Sequence, residues 1–275
     1  MPKLNNNRIF LSIAMVLIFL FSCSACRKAT DKEEEISEQT TVQKLEPRIV
    51  KPVIVRVFPH DNRAYTQGLF YRDGYLYEST GQRGQSSLRK VNINDGGVIK
   101  SVSLPDMYFG EGIAYFENKI YMLTWITNKG FIYDFKTFAK LGEFEYNNEG
   151  WGLASDSSRF YFTDGSNKIM YMDHKGFVEQ GTSICTYKGK VIDKLNELEI
   201  VGDTLYANVY TYDIIARINK NTGEVFDIID CSALRAQLDN QNTAEVLNGI
   251  AYNTDTKTYY LTGKYWDKYF EVIFK

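Results

Sequence analysis

EGIAYFENKIYMLT, residues 111–124, holds a short apolar strand, a polar turn at Glu117-Asn118 and a second strand that carries Tyr121. The alternation of apolar and polar side chains on both sides of the turn reads as a β-hairpin. The same pattern recurs four more times: QGLFYRDGYLYEST (67–80), WGLASDSSRFYFTD (151–164), NELEIVGDTLYANV (196–209) and NGIAYNTDTKTYYLTG (248–263). Counted from the residue after each start, the tyrosines 77, 121, 161, 206 and 260 stand at offsets 9, 9, 9, 9 and 11. The starts lie 44, 40, 45 and 52 residues apart. Each unit continues into a third strand (SLRKVNI, GFIYDF, KIMYMD, IIARIN, YFEVIF), with turn signals such as NDGG and NKNTGE after the first and fourth. A fourth strand such as VIKSVSL, EFEYN or VFDIID completes a unit. Four antiparallel strands repeated every 40 to 50 residues are the signature of propeller blades.

The fifth unit stops after its third strand at Lys275, while PVIVRVF (52–58) is a spare strand ahead of the first. The expected architecture is therefore all-β: a five-bladed β-propeller over residues 47–275, closed by the N-terminal strand completing the last blade. A β-sandwich with coincidental spacing is the alternative.

Composition agrees. The 275 residues are 44% hydrophobic and 15% aromatic, with 20 Tyr and 17 Phe, which favour strands. The formal charge of −2 offers no basic excess for nucleic acid. Ahead of the repeats, Lys3 and Arg8 precede the 13-residue apolar run IFLSIAMVLIFLF, too short to span a bilayer. Residues 1–22 read as a secretory signal. It ends in LFSC, which resembles the bacterial lipobox, and this implies lipidation of Cys23. Residues 23–46, charged and without aromatics, read as a disordered tether. The expected molecule is an exported, membrane-anchored bacterial lipoprotein on the periplasmic side or cell surface, acting as a monomer. Of the remaining cysteines, Cys26 lies in the tether, and Cys185 and Cys231 read as two buried thiols rather than a disulfide framework.

In a propeller the first strands line the axis, so the residues that open them converge. Here these are Gln67, Glu111, Trp151, Asn196 and Asn248. Unpaired amides and carboxylates are costly in a core, so the ring reads as a polar pocket at the axis mouth. Interblade stapling is the competing reading, stronger for Asn248 than for Glu111. Second-strand ends add Trp125, Tyr210 and Lys264. Gly110 and Gly112 read as leaving room beside Glu111 for a substrate.

Other chemistries find less support. The two histidines, His60 and His174, fall in different blades, which does not suggest a zinc site. No GxSxG elbow occurs, and GQRGQSS lacks the GK[ST] of a phosphate loop. A paired-carboxylate glycosidase would combine Glu111 with Glu149 or Glu197. A non-catalytic propeller that binds peptides or sugars stays open as well.

Beyond these patterns, FPHDNRAYTQGLFYRDGYLYESTGQRGQSSLRKV, YFGEGIAYFENKIYMLTW, EGWGLASD, LNELEIVGDTLYANVY, LNGIAY and LTGKYW resemble, in order, the plant and bacterial type of glutaminyl-peptide cyclotransferase. The resemblance runs from about Phe58 to the C-terminus. It implies a five-bladed propeller that cyclises an N-terminal glutamine of peptides or proteins to pyroglutamate and releases ammonia, without a metal or other cofactor. It also implies that Glu111 is the essential acid and that Gln67, Asn196 and Lys264 serve the reaction. Phe109, Trp125 and Trp151 would form aromatic walls. Tyr65 stands where relatives commonly carry Phe, and Tyr210 where they commonly carry Trp, so the wall stays aromatic. A single carboxyl group suits this chemistry, because it can take the proton from the attacking amine and return it to the departing nitrogen.

Overall fold

A computed structural model describes residues 48–275; the expected signal segment and the whole of the expected tether, with Cys23 and Cys26, lie outside the described residues. Five sheets form the blades, each with a four-stranded antiparallel body that runs in chain order from the axis outwards in blades 1 to 4. Blade 1 comprises Thr66–Arg72, Tyr75–Thr80, Ser87–Val91 and Val98–Ser103. Blade 2 comprises Gly110–Phe116, Lys119–Thr124, Lys129–Asp134 and Lys140–Glu145. Blade 3 comprises Leu153–Ser155, Phe160–Phe162, Lys168–Met172 and Glu179–Ile184, and blade 4 comprises Leu195–Val201, Thr204–Val209, Ile214–Asn219 and Val225–Asp230. Blade 5 takes Leu247–Asn253, Thr258–Gly263 and Lys268–Phe274 from the C-terminal end, and its outer strand is Pro52–Pro59. That strand runs antiparallel to the last one, with Pro52 opposite Phe274 and Pro59 opposite Lys268. The sandwich alternative is thereby removed, and the spare N-terminal strand closes the ring.

The constant tyrosine offset has a packing cause. The buried apolar side chains form five clusters, each spanning two neighbouring blades, and each holds one repeat tyrosine. Tyr77 packs with Ile113 between blades 1 and 2. Tyr121 packs with Leu153 between blades 2 and 3, and Tyr161 with Leu198 between blades 3 and 4. Tyr206 and Tyr260 do the same against Ile250 and Leu69. One face of each second strand therefore supplies a large aromatic to the next blade, and strand alternation places it there. Burying a large apolar side chain contributes roughly 1.5–3 kcal/mol, so these seams carry much of the fold's stability.

Three elements were not legible in the repeats. Arg48–Val50 adds a parallel edge strand to blade 4, pairing with Asp227–Ile229 before the chain crosses to blade 5. The hairpin Thr186–Tyr187 and Lys190–Val191 precedes blade 4, and the short helix Ser232–Arg235 lies in the long connection to blade 5. Cys185 and Cys231 are free, buried thiols; burial pushes Cys185 up to about 12.

The innermost strands carry the feature that builds the site. In blades 1, 2, 4 and 5 the pairing with the second strand slips at Thr66/Gly68, Gly110/Ile113, Leu195/Leu198 and Leu247/Ile250. Each slip is a β-bulge around the polar opener of the repeat, and a bulge re-aims the side chain it releases.

Candidate active site

Nine side chains surround a cavity of about 260 Å³: Tyr65, Gln67, Phe109, Glu111, Trp125, Trp151, Asn196, Tyr210 and Lys264. Gln67, Glu111 and Asn196 come from bulged first strands, and Trp125, Tyr210 and Lys264 from the residues just past second strands.

Glu111 is held from both sides. Ser79 Oγ donates to its carbonyl oxygen at 2.6 Å, and the next amide, Gly112 N, donates to Trp151 O at 2.8 Å. The side chain is 4% exposed, and Oε1 accepts from Gln67 Nε2 at 2.7 Å. Burial pushes the carboxyl group well above the usual carboxylate range. The charge of Lys264 opposes that rise, Glu149 adds to it, and the Gln67 hydrogen bond opposes it.

Gly112 does not make room for a ligand. A Cβ there would fall 2.6 Å from both Leu153 N and Trp151 O, so the space beside Glu111 is filled by the backbone of blade 3. Gly152 serves the same purpose in the next blade, where a Cβ would meet Asn196 O. At Gly110 a Cβ would stand 2.5 Å from Met122 Cε, so neither glycine beside Glu111 opens onto a substrate.

Lys264 is 3% exposed and lies between two rings, with Nζ 4.6 Å from the Tyr65 centroid and 5.0 Å from that of Tyr210. Burial lowers its pKa, against the opposing charges of Glu111 and Glu245. Tyr65 and Tyr210 thus sandwich the cation. Asn196 Oδ1 is buried without a protein partner, which leaves that oxygen free to accept a hydrogen bond from a ligand.

Asn248 is placed differently from the other ring residues. It is fully buried behind the cavity, where Nδ2 donates to Thr66 O at 3.0 Å and to Gln67 Oε1 at 3.4 Å. Its expected place in contact with substrate is therefore corrected: it supports Gln67, which in turn orients Glu111. The staple uses Nδ2 alone; Oδ1 is buried without a protein partner.

The rival acids are committed elsewhere. Glu149 Oε2 accepts from two indoles, and Glu197 accepts from Leu69 N at 3.2 Å and Ile250 N at 2.8 Å, tying blade 4 to blades 1 and 5 across the axis. The histidines sit outside the cavity lining. His60 is fixed between Glu78 and Thr262, each at 2.9 Å, and His174 stacks on Phe116. Among the described residues no three His, Cys, Asp or Glu side chains gather as a metal-ligand group.

Three comparisons bear on this geometry. Residues 21–274 match the model of a family described as Glutamine cyclotransferase. A Glutaminyl-peptide cyclotransferase from Arabidopsis thaliana is 36% identical over 235 residues, covering 84% of this chain and 73% of the relative. The crystal structure of Myxococcus xanthus glutaminyl cyclase superimposes with a TM-score of 0.79 at 31% identity, covering 84% of this chain and 99% of that one.

Proposed function

Because the chain belongs to the glutamine cyclotransferase family, and so closes N-terminal glutamine to pyroglutamate with release of ammonia, we propose that ring closure takes place in the axis cavity with Glu111 carrying the proton. The observation that supports this reading is a buried, Gln67-bonded carboxyl group, raised by burial, in a cavity that also holds one ammonium.

The substrate supplies its own proximity, since the α-amine and the γ-carboxamide belong to one residue. The neutral amine nitrogen attacks the γ-carbonyl carbon, a C–N bond forms, and the carbonyl oxygen takes up negative charge. The Glu111 carboxylate removes a proton from the new ammonium centre. It then returns that proton to the carboxamide nitrogen, the old C–N bond breaks, and ammonia leaves. Glu111 ends as the carboxylate it began as. Burial raises the Glu111 carboxyl group, which makes it a stronger base towards the attacking amine than an exposed carboxylate.

Gln67 already donates to Glu111, and its role is to orient the carboxyl group. That leaves the Lys264 ammonium for the developing oxyanion and the Asn196 Oδ1 acceptor for an N–H of the scissile carboxamide. Phe109, Trp125, Trp151, Tyr65 and Tyr210 wall the site and keep its dielectric low. All of these steps are assigned to protein side chains, without a metal. Purified protein treated with a strong chelator should release ammonia from a short Gln-peptide at an unchanged rate. A loss that a divalent ion restores would overturn the metal-independent reading.

Export and anchoring are inferred from residues 1–46 alone, with Cys23 as the lipid site and the catalytic domain acting as a monomer at the membrane surface. Expressed in a bacterium from its full-length gene, the protein should partition into the detergent phase, and Cys23→Ser should release it to the aqueous phase. Equal partitioning of both would remove the anchor.

A further inference from the structure

The aromatic wall is nearly a closed circuit. Tyr65 meets Phe109 edge-on at 5.9 Å, and Phe109 meets Trp125 at 5.7 Å. On the other side Trp151 meets Tyr210 edge-on at 5.4 Å. Two gaps remain in these ring contacts. Lys264 fills the one between Tyr210 and Tyr65. At the other, Glu149 Oε2 accepts from Trp125 Nε1 at 2.7 Å and from Trp151 Nε1 at 2.9 Å.

We propose that Glu149 is a positioning residue of the cyclisation site, a single carboxylate oxygen that clamps the two indoles and closes the rim of the pocket. This rests on the reading that the axis cavity is where the glutamine is cyclised. An indole N–H is a donor only, so each ring has one polar tether, and both tethers end on the same atom. Trp125 is 37% exposed, and its ring is otherwise held at the mouth by Phe109. Without the clamp its rotamer is free to leave the wall, and the substrate meets a wider, wetter opening. The carboxylate also places a negative charge near Glu111, so one residue sets both the shape of the rim and the field on the acid.

Three measurements on Glu149→Ala and Glu149→Gln in the full chain test the clamp. Glu149→Ala should raise KM for a Gln-peptide by about tenfold, the scale of losing a hydrogen bond to a charged acceptor, with a smaller fall in kcat. Glu149→Gln keeps a carbonyl acceptor for the indoles and should recover most of that KM. Both variants lose the charge that raises Glu111, so the portion of the acid limb due to Glu111 should move to lower pH in both. The chain has three tryptophans, and Trp266 is buried with Nε1 on Glu245 O, so a change in indole emission reports Trp125 and Trp151. Emission should shift in Glu149→Ala and stay near wild type in Glu149→Gln. Unchanged emission in Glu149→Ala overturns the clamp, and it does so without turnover, whatever Glu111 proves to do. Shifted emission with KM within twofold of wild type overturns its role in substrate positioning.

Discussion

Glu111→Gln is expected to lower the cyclisation rate by about 100-fold or more, with the fold intact. The variant keeps an acceptor oxygen for Gln67 Nε2, which bonds Oε1 at 2.7 Å in the wild type, so the local geometry has no reason to change. What it loses is a group that can take a proton from the amine and give it back. Stability should not suffer, and the sign follows from the direction of the pKa shift. Burial raises Glu111 above its unfolded value. Between those two values the folded chain binds more protons than the unfolded one, so stability falls as pH rises through the window. An amide does not ionise, so at neutral pH the variant should melt at the same temperature as wild type or higher. The measurements are ammonia release under saturating Gln-peptide and a thermal melt. Cyclisation within threefold of wild type by a well-folded Glu111→Gln would remove the carboxyl group from the mechanism.

The sequence carries the fold so plainly because each blade repeats the same packing problem. Tyr77, Tyr121, Tyr161, Tyr206 and Tyr260 all fill a seam to the next blade, and a shared task leaves a shared spacing. The axis residues were legible for the opposite reason: Gln67, Glu111 and Asn196 are polar where a seam or core would be apolar. What escaped depends on partners far along the chain. Arg48–Val50 has no pattern of its own and is defined only by Asp227–Ile229, 179 residues along the chain. Gly112 looked like space for a substrate, yet it is space for Trp151 O and Leu153 N, which no local reading supplies. Asn248 shares the opener position with Glu111, but its bulge leaves it behind Gln67. Glu149 carries half a signal, two residues before Trp151; the other half, Trp125, stands 24 residues earlier.

Lys264→Met should be the next most damaging change, lowering the rate by about 100- to 1,000-fold, the scale of removing one preorganised group from an oxyanion. The ammonium is buried, and Glu111 is the other charged group in the cavity lining, so no second cation there stands ready to replace it. Met suits the gap between the Tyr65 and Tyr210 rings, since a thioether packs well against aromatic edges, and the wall should hold. The pH profile separates this variant from a merely structural defect. The positive charge of Lys264 holds Glu111 below where burial alone would put it. Removing that charge raises Glu111 further, so higher pH is needed to form the carboxylate, and its portion of the acid limb must move to higher pH. The limb set by the substrate's own amine is the same for every variant, so any movement belongs to the enzyme. This shift is opposite in sign to the one expected for Glu149→Ala, where a negative neighbour is lost. A Lys264→Met profile that fails to move to higher pH would place the ammonium outside the electrostatics of the acid, and a rate within threefold of wild type would remove it from the oxyanion.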